Sequence, residues 1–229
     1  EGLLCRILTN YTTFLKKIML KKAYQVFVAN TSIKNYLLDN SVLNNINIVP
    51  YKFYVKRNEK EIKILDSNKI NIVVPGAIHI DNKNLMLIRS AFNLLDDKTK
   101  NNLTIVLLGK PSRNVDLKFC ESWKRDAGDS LIYFNDFVSD DDFTDIMVES
   151  DCILGVLNIK YFNKYNAEIY GVSKDTGIDA QAISYGKPLI INSDFQVVNE
   201  IFSSTLKFHD DISLSHCLSR LEDESNMRA

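Results

Sequence analysis

The sequence predicts an α/β protein built on a Rossmann-like, doubly wound parallel sheet with helices on both faces. Two observations carry that prediction. Apolar runs without polar alternation recur along the chain, INIVVPGAI at 70–78, LTIVLLG at 103–109, DCILGVL at 151–157 and PLIIN at 188–192. Strands buried on both faces read this way. Between them lie amphipathic helical segments such as NLMLIRSAFNLL at 84–95, and strands alternating with helices make βαβ units. A chain of 229 residues, 45% hydrophobic and 25% charged, suffices for one large domain or two small ones.

The elements follow in order. Residues 1–22 set Leu4, Ile7, Leu8, Tyr11, Leu15, Ile18 and Met19 at helical spacing. Lys16, Lys17, Lys21 and Lys22 gather at the end of that segment, where cations complement the helix dipole. A strand is expected in YQVFVAN (24–30), then Thr31 as the N-cap of a helix over 32–39, then a strand in INIVP (46–50). The charged stretch 51–69 has no clean period and is expected to be a linker, dividing a first part, 1–50, from a second domain, 70–229. The second domain begins with the strand at 70–78, the helix at 84–95 and the strand at 103–109. A helix around 117–125, the strand SLIYFNDF (130–137), a helix after Ser139 and the strand at 151–157 come next. A helix through 180–185, the strand at 188–192 and a last helix near 212–221 complete it.

Composition narrows the function classes. A net charge of −1 offers no basic surface for a phosphate backbone, so nucleic acid is not expected as a partner. No apolar run approaches the roughly 20 residues that cross a bilayer, and no cleavable signal peptide is present. Cys5, Cys120, Cys152 and Cys217 have no C-x-x-C spacing, which reads as reduced thiols in a cytoplasmic protein without structural zinc. The start at Glu1, inside a helical pattern, is expected of a fragment whose upstream part is elsewhere.

In an open parallel sheet, ligands bind beyond the carboxyl ends of the strands, where helix N-termini converge. After the first strand the chain reads PGAIHIDNKN. Gly76 allows backbone to approach a ligand, His79 stands in the loop, and Asn82 and Lys83 precede the next helix. A tight turn with a solvated lysine explains the same residues. Neither G-x-G-x-x-G nor the P-loop pattern is present. The second strand exits through LLGKPSRN, with Gly109, Lys110 and Arg113. The third exits through YFNDFVSDDDF, where Ser139 and Asp142 form a capping box and Phe137 is placed to staple against Phe143. The three aspartates there offset the helix dipole rather than hold a metal, which needs spaced ligands. Asn135 and Phe137 are candidates to hold a nucleobase.

The stretch YGVSKDTGIDAQAISYGKPLII (170–191) puts Lys174, Asp175, Thr176 and Gly177 before a helix. A diphosphate fits a cation, a hydroxyl and a helix N-terminus. The plainer alternative is an N-cap at Asp175 or Thr176 with Lys174 in solvent. His209 and His216, near the last helix, read as surface groups.

Four segments together resemble the donor-side domain of glycosyltransferases of the B-type fold. AISYGKPLI (182–190) is similar to the family's EAMASGTPVI segment, VPGAIHIDNKN to its VGRLxxxKG strand and loop, and LTIVLLG to its LxIVG. LIYFNDFVSDDDFTDIMVESDCILGVL is similar to VxFxGxVxxEELxxYYxxADVxVxPS, and the resemblance covers about residues 70–200. It implies two Rossmann-like domains, the second binding a nucleotide-sugar and the first, of which 1–50 would be the last elements, binding the acceptor. Tyr170 and Gly171 followed by Lys174, Asp175, Thr176 and Gly177 resemble a bacterial polysaccharide variant in which the lysine serves the diphosphate loop. His79, in the loop at the strand ends, would contact donor sugar or phosphate, the alternative being an ordinary satisfied histidine. The implied function is transfer of a sugar to a glycan or lipid-linked acceptor in surface polysaccharide synthesis, with no cofactor and no metal beyond the donor itself. A non-catalytic nucleotide-sugar-binding subunit, or an interaction module without a nucleotide site, are the alternatives.

Departures from the pattern are specific. Ser173 and Gln181 stand where many retaining members carry two glutamates, and Ala77 where an arginine follows the first glycine. Lys174, Thr176 and Gly177 would stabilise the leaving nucleoside diphosphate, while any general base would come from the acceptor domain and is not assigned here. The basic first helix would either lie on the inner face of an anionic membrane or pack on a sheet.

Overall fold

The computed structural model describes residues 14–15, 18–19, 21–28, 30–39, 46–48, 65–81, 83–162 and 167–226. They fall into two compact units, one drawn from Glu1–Lys52 and Ile159–Thr176, the other from Phe53–Asn158 and Gly177–Ala229. Most of the helix expected over 1–22, most of the linker at 51–69 and the residue Asn82 lie outside the described residues.

In the smaller unit, Val26–Val28 pairs in parallel with Ile46–Ile48, and the helix Thr31–Asp39 joins them. The N-cap is Asn30, not Thr31. Its Oδ1 accepts from the Ile33 N–H at 2.9 Å, so the side chain three residues ahead of the orphan donor takes the role. The sequence reading had no counterpart for Lys160–Phe162 and Ala167–Ile169, an antiparallel pair.

The larger unit holds a six-stranded sheet. Its elements are β1 (Ile70–Pro75), α1 (Leu85–Asn93), α2 (Asp97–Asn102), β2 (Leu103–Leu108), α3 (Asn114–Ala127), β3 (Leu131–Tyr133), α4 (Asp140–Glu149) and β4 (Cys152–Gly155). After these come α5 (Ile178–Tyr185), β5 (Leu189–Asn192), β6 (Thr205–Phe208) and α6 (Asp211–Asn226). The strands are all parallel and lie in the order β6-β5-β4-β1-β2-β3. Read from β3, this is the doubly wound order 3-2-1-4-5-6. The expected fold class is therefore the one observed.

Alternate side chains divide the core between the two faces. Ile72, Val74, Ile105, Leu107, Leu154 and Ile190 pack with α1, α3 and α6 through Ile88, Phe92, Trp123 and Leu214. The fully buried Trp123 meets Phe92 edge-on, with ring centroids 6.5 Å apart, and Phe119 at 5.8 Å. Truncating such an aromatic costs about 3–5 kcal/mol. On the opposite face, a Cβ at Gly155 would lie 3.2 Å from Ile191 and 3.4 Å from Ile178, so this glycine lets α5 close onto the sheet. Gly186, at φ 60°, ends α5, and the Lys187 N–H reaches back to the Ala182 carbonyl at 3.0 Å.

Candidate functional site

The strand order reverses between β1 and β4, and ligands in such sheets bind in the crevice outside the carboxyl ends at that reversal. The backbone opens there. β1 pairs with β2 along its whole length, from Ile70 to Pro75, but with β4 only at Ile72 and Val73. On the β2 side the pairing runs past both strands, with the Gly76 N–H on Leu108 O at 2.9 Å, the Ile78 N–H on Lys110 O at 3.0 Å and the Ser112 N–H on Ile78 O at 2.9 Å.

Glycine makes this possible. Gly76 has φ 88°, a left-handed conformation, and a Cβ at Gly109 would stand 2.5 Å from the Gly76 carbonyl oxygen. Lys83 completes the turn. Its Nζ donates to Pro75 O at 2.6 Å and to Gly76 O at 2.8 Å, so it is not the solvated lysine that a plain turn would have. Burial pushes this amine down from its ordinary 10.5 to about 8, because water no longer solvates the ammonium. His79 accepts the Lys83 N–H on its carbonyl at 2.9 Å. The His79 Nδ1 is buried with no hydrogen-bond partner among the described residues.

A charged group outside the expected set holds the same loop. Asp116, fully buried on α3, accepts from Arg113 Nε and from its second guanidinium nitrogen, both at 3.0 Å. It also accepts from the Ile80 N–H at 3.0 Å. The Arg113 hydrogen bonds hold the Asp116 carboxyl below its ordinary range, against the cost of burial. Arg113 also reaches Asp81 at 2.6 Å, and the Asp81 carbonyl accepts from Asn158 Nδ2 at 2.5 Å. At the neighbouring exit, Asn192 Oδ1 takes the Leu157 N–H at 2.9 Å.

The exit of β3 is different. Asn135 is exposed and Phe137 is 78% exposed, so Phe137 is not buried in the expected staple against Phe143. The helix start is satisfied without it: Ser139 Oγ accepts from the Asp142 N–H at 3.1 Å and donates to the Asp142 carboxylate at 2.7 Å. Asp140, Asp141 and Asp142 occupy the first turn, where the dipole favours them.

Lys174, Asp175 and Thr176 belong to the smaller unit and Gly177 opens the second segment of the larger one. Gly171 has φ 80°, its N–H bonds the Lys174 carbonyl at 2.8 Å, and Ser173 Oγ accepts from the Ile169 N–H at 2.8 Å. Lys174 Nζ lies 5.4 Å from the Tyr170 ring centroid, a cation–π distance, and the residue is partly buried rather than free in solvent. The cap of α5 is Gly177, at φ 70°, not Asp175 or Thr176. A left-handed residue there suits glycine, whereas side-chain caps require extended backbone. Asp175 Oδ1 instead accepts from the Thr176 N–H at 2.8 Å.

Of the expected site residues, then, Gly76, His79, Lys83 and Gly109 come together at the exits of β1 and β2, with Asn135 and Phe137 after β3. Asp81, Asp116 and Asn158 escaped the sequence reading. The i, i+3 spacing of Arg113 and Asp116 was the available signal.

Two cavities bounded by described residues lie at the other end of the sheet. Pockets of about 530 and 330 Å³ lie at the amino ends of the strands, the first bounded by Ile70, Cys152, Thr205 and Arg220, the second by Gly186, Pro188 and Ile201. Helix C-termini face that edge. We place the candidate site at the exits because the glycines, the strand reversal and the polar brace coincide there.

Similar folds occur in solved structures. The chain is similar to a sucrose-phosphate synthase from Thermosynechococcus elongatus (15% identity, TM-score 0.60, 92% of this chain and 52% of that one). It is also similar to a glycosyltransferase from Rickettsia africae (14%, 0.64, 92% and 56%). A third is Anabaena HepE, solved in complex with UDP and glucose (12%, 0.61, 89% and 55%). The chain spans about half the length of these proteins. No family model and no curated protein matches it. What the chain shares with these proteins is the Rossmann-like, doubly wound α/β fold.

Proposed function

We propose that the chain is the donor-binding part of a glycosyltransferase that moves a sugar from a nucleoside diphosphate to a glycan or lipid-linked acceptor, in surface polysaccharide synthesis at the cytoplasmic side of a membrane. The observation that carries this reading is the coincidence of the strand reversal with the glycine-tight exits of β1 and β2, in a fold shared with a protein solved with UDP. Gly76 and Gly109 let the exits of β1 and β2 close on each other, which fixes the backbone beside the strand reversal. Lys174 and Thr176 lead by sequence into α5 and carry the cation and hydroxyl assigned to the diphosphate. Asn135 and Phe137 are assigned to the nucleobase, and the exposed ring favours stacking.

A thermal-shift screen against UDP, GDP, CDP, dTDP and ADP, with and without magnesium, tests it. A diphosphate at a hundred times its Kd stabilises the fold by about 2.7 kcal/mol. Stabilisation by one base, independent of metal and lost in Lys174→Ala, is the expected result; a flat response to all five sinks the reading. Ala77, Ser173 and Gln181, in place of the arginine and the two glutamates, favour a second reading as a binding subunit without catalytic groups. Nucleotide binding without sugar transfer to any acceptor extract would select it.

A further inference from the structure

Loops that leave a sheet are ordinarily held by short backbone turns. The loop after β1 is held by charge as well. One guanidinium, Arg113, serves two carboxylates: its Nε and one terminal nitrogen fork Asp116, each at 3.0 Å, and the other terminal nitrogen meets Asp81 at 2.6 Å. Asp116 passes the restraint to the Ile80 N–H at 3.0 Å, and the Asp81 carbonyl passes it to Asn158 at 2.5 Å. A single connected chain of bonds therefore runs from the start of α3 through the exit of β1 to the exit of β4. These two exits flank the strand reversal, where the β1–β4 ladder has already stopped.

We propose that Arg113 is a positioning residue of the donor site, fixing Ile80 and Asp81 and, through the Asp81 carbonyl, Asn158, so that the exits of β1 and β4 face a nucleoside diphosphate at a set spacing. The proposal rests on the donor-binding reading above. Arg113 touches no ligand in this role. What it governs is the placement of Ile80 and Asp81, between the backbone bonds of Ile78 and the Lys83 bonds to Pro75 and Gly76. The planar guanidinium forks Asp116 with two donors and keeps a third for Asp81; a lysine ammonium has no rigid fork to match that carboxylate.

The test titrates the full chain with UDP, GDP, CDP, dTDP and ADP by calorimetry and follows the tightest binder through Arg113→Ala, Arg113→Lys, Asn158→Ala and the Arg113→Ala/Asn158→Ala double variant. Melting temperatures are recorded in parallel. Arg113→Ala is expected to raise Kd about tenfold, Arg113→Lys to leave that loss unrepaired, and Asn158→Ala to raise Kd severalfold. Since both side chains act through Asp81, the double variant is expected to be no weaker than Arg113→Ala alone. Asn158→Ala removes one partly exposed amide, so it keeps the question open should Arg113→Ala fold poorly. Lower melting temperatures with Kd within twofold of the parent in every variant would overturn the proposal and make Arg113 purely structural. Fold-changes that multiply in the double variant would also overturn it. A parent chain that binds none of the five diphosphates removes the donor-binding reading, and this proposal with it.

Discussion

The exits of β1 and β3 lie at the same end of one sheet and are built on opposite plans. Around β1, backbone meets backbone at Gly76 and Gly109, Lys83 ties down two carbonyls, and Arg113 with Asp116 locks the loop from beneath. After β3, Asn135 and Phe137 are exposed, and a surface pair, Lys110 with Asp136, stands 4.0 Å apart. A pair of that kind contributes almost nothing. On the donor-binding reading proposed above, the difference would separate two demands on one edge. A diphosphate needs donors already in place, because displaced dipoles lose most of their effect, whereas a base that stacks on a ring tolerates a movable one.

Substitutions sharpen the contrast, beginning with the largest expected effect. Gly109→Ala places a methyl 2.5 Å from a backbone oxygen that no rotamer can move. We expect a loss of about 3 kcal/mol in urea unfolding, and an unchanged midpoint would show that the two exits are not in contact. Lys83→Met removes a titration. The amine binds its proton near 10.5 in the unfolded chain and near 8 in the fold, so between these values the unfolded chain holds the extra proton and stability rises with pH. The parent should gain about 3 kcal/mol across that window, and Lys83→Met should lose this component. An identical slope in both proteins would mean that Lys83 is not the group responsible. Asn192→Ala strips the acceptor from the Leu157 N–H and is expected to cost about 1 kcal/mol, measured in the same urea series. Phe137→Ala should leave stability within about 0.5 kcal/mol yet weaken nucleotide binding; if it unfolds the protein, the β3 exit is no more open than the β1 exit.

Strands buried on both faces announced themselves in the sequence. INIVVP, LTIVLL, CILG and LIIN have no polar alternation, and each is a strand of the sheet. TLKF (205–208) escaped because an edge strand in parallel register carries partly exposed residues and a lysine, with no long apolar run to mark it. DKTKNN (97–102), a helix of charged and polar residues, has no apolar period to read. Caps misled by one residue at Thr31 and by one or two at Thr176 and Asp175, since Asn30 and Gly177 are also good caps and only backbone angles choose between them. At the candidate site, the glycines could be named from turn chemistry. The Arg113–Asp81–Asn158 chain could not, because its members come from three separate strand exits and meet only once the sheet has formed.

The division of the chain between its two units bears on how the protein is made. The smaller unit draws on Ile159–Thr176, and the whole of Phe53–Asn158 is translated between its two portions. A ribosome therefore delivers β1 to β4 before that unit has all its parts, and finishes the larger unit last, with α6. Each unit's later portion follows part of the other in the chain, so the order of emergence favours closure of the two close together rather than one well before the other.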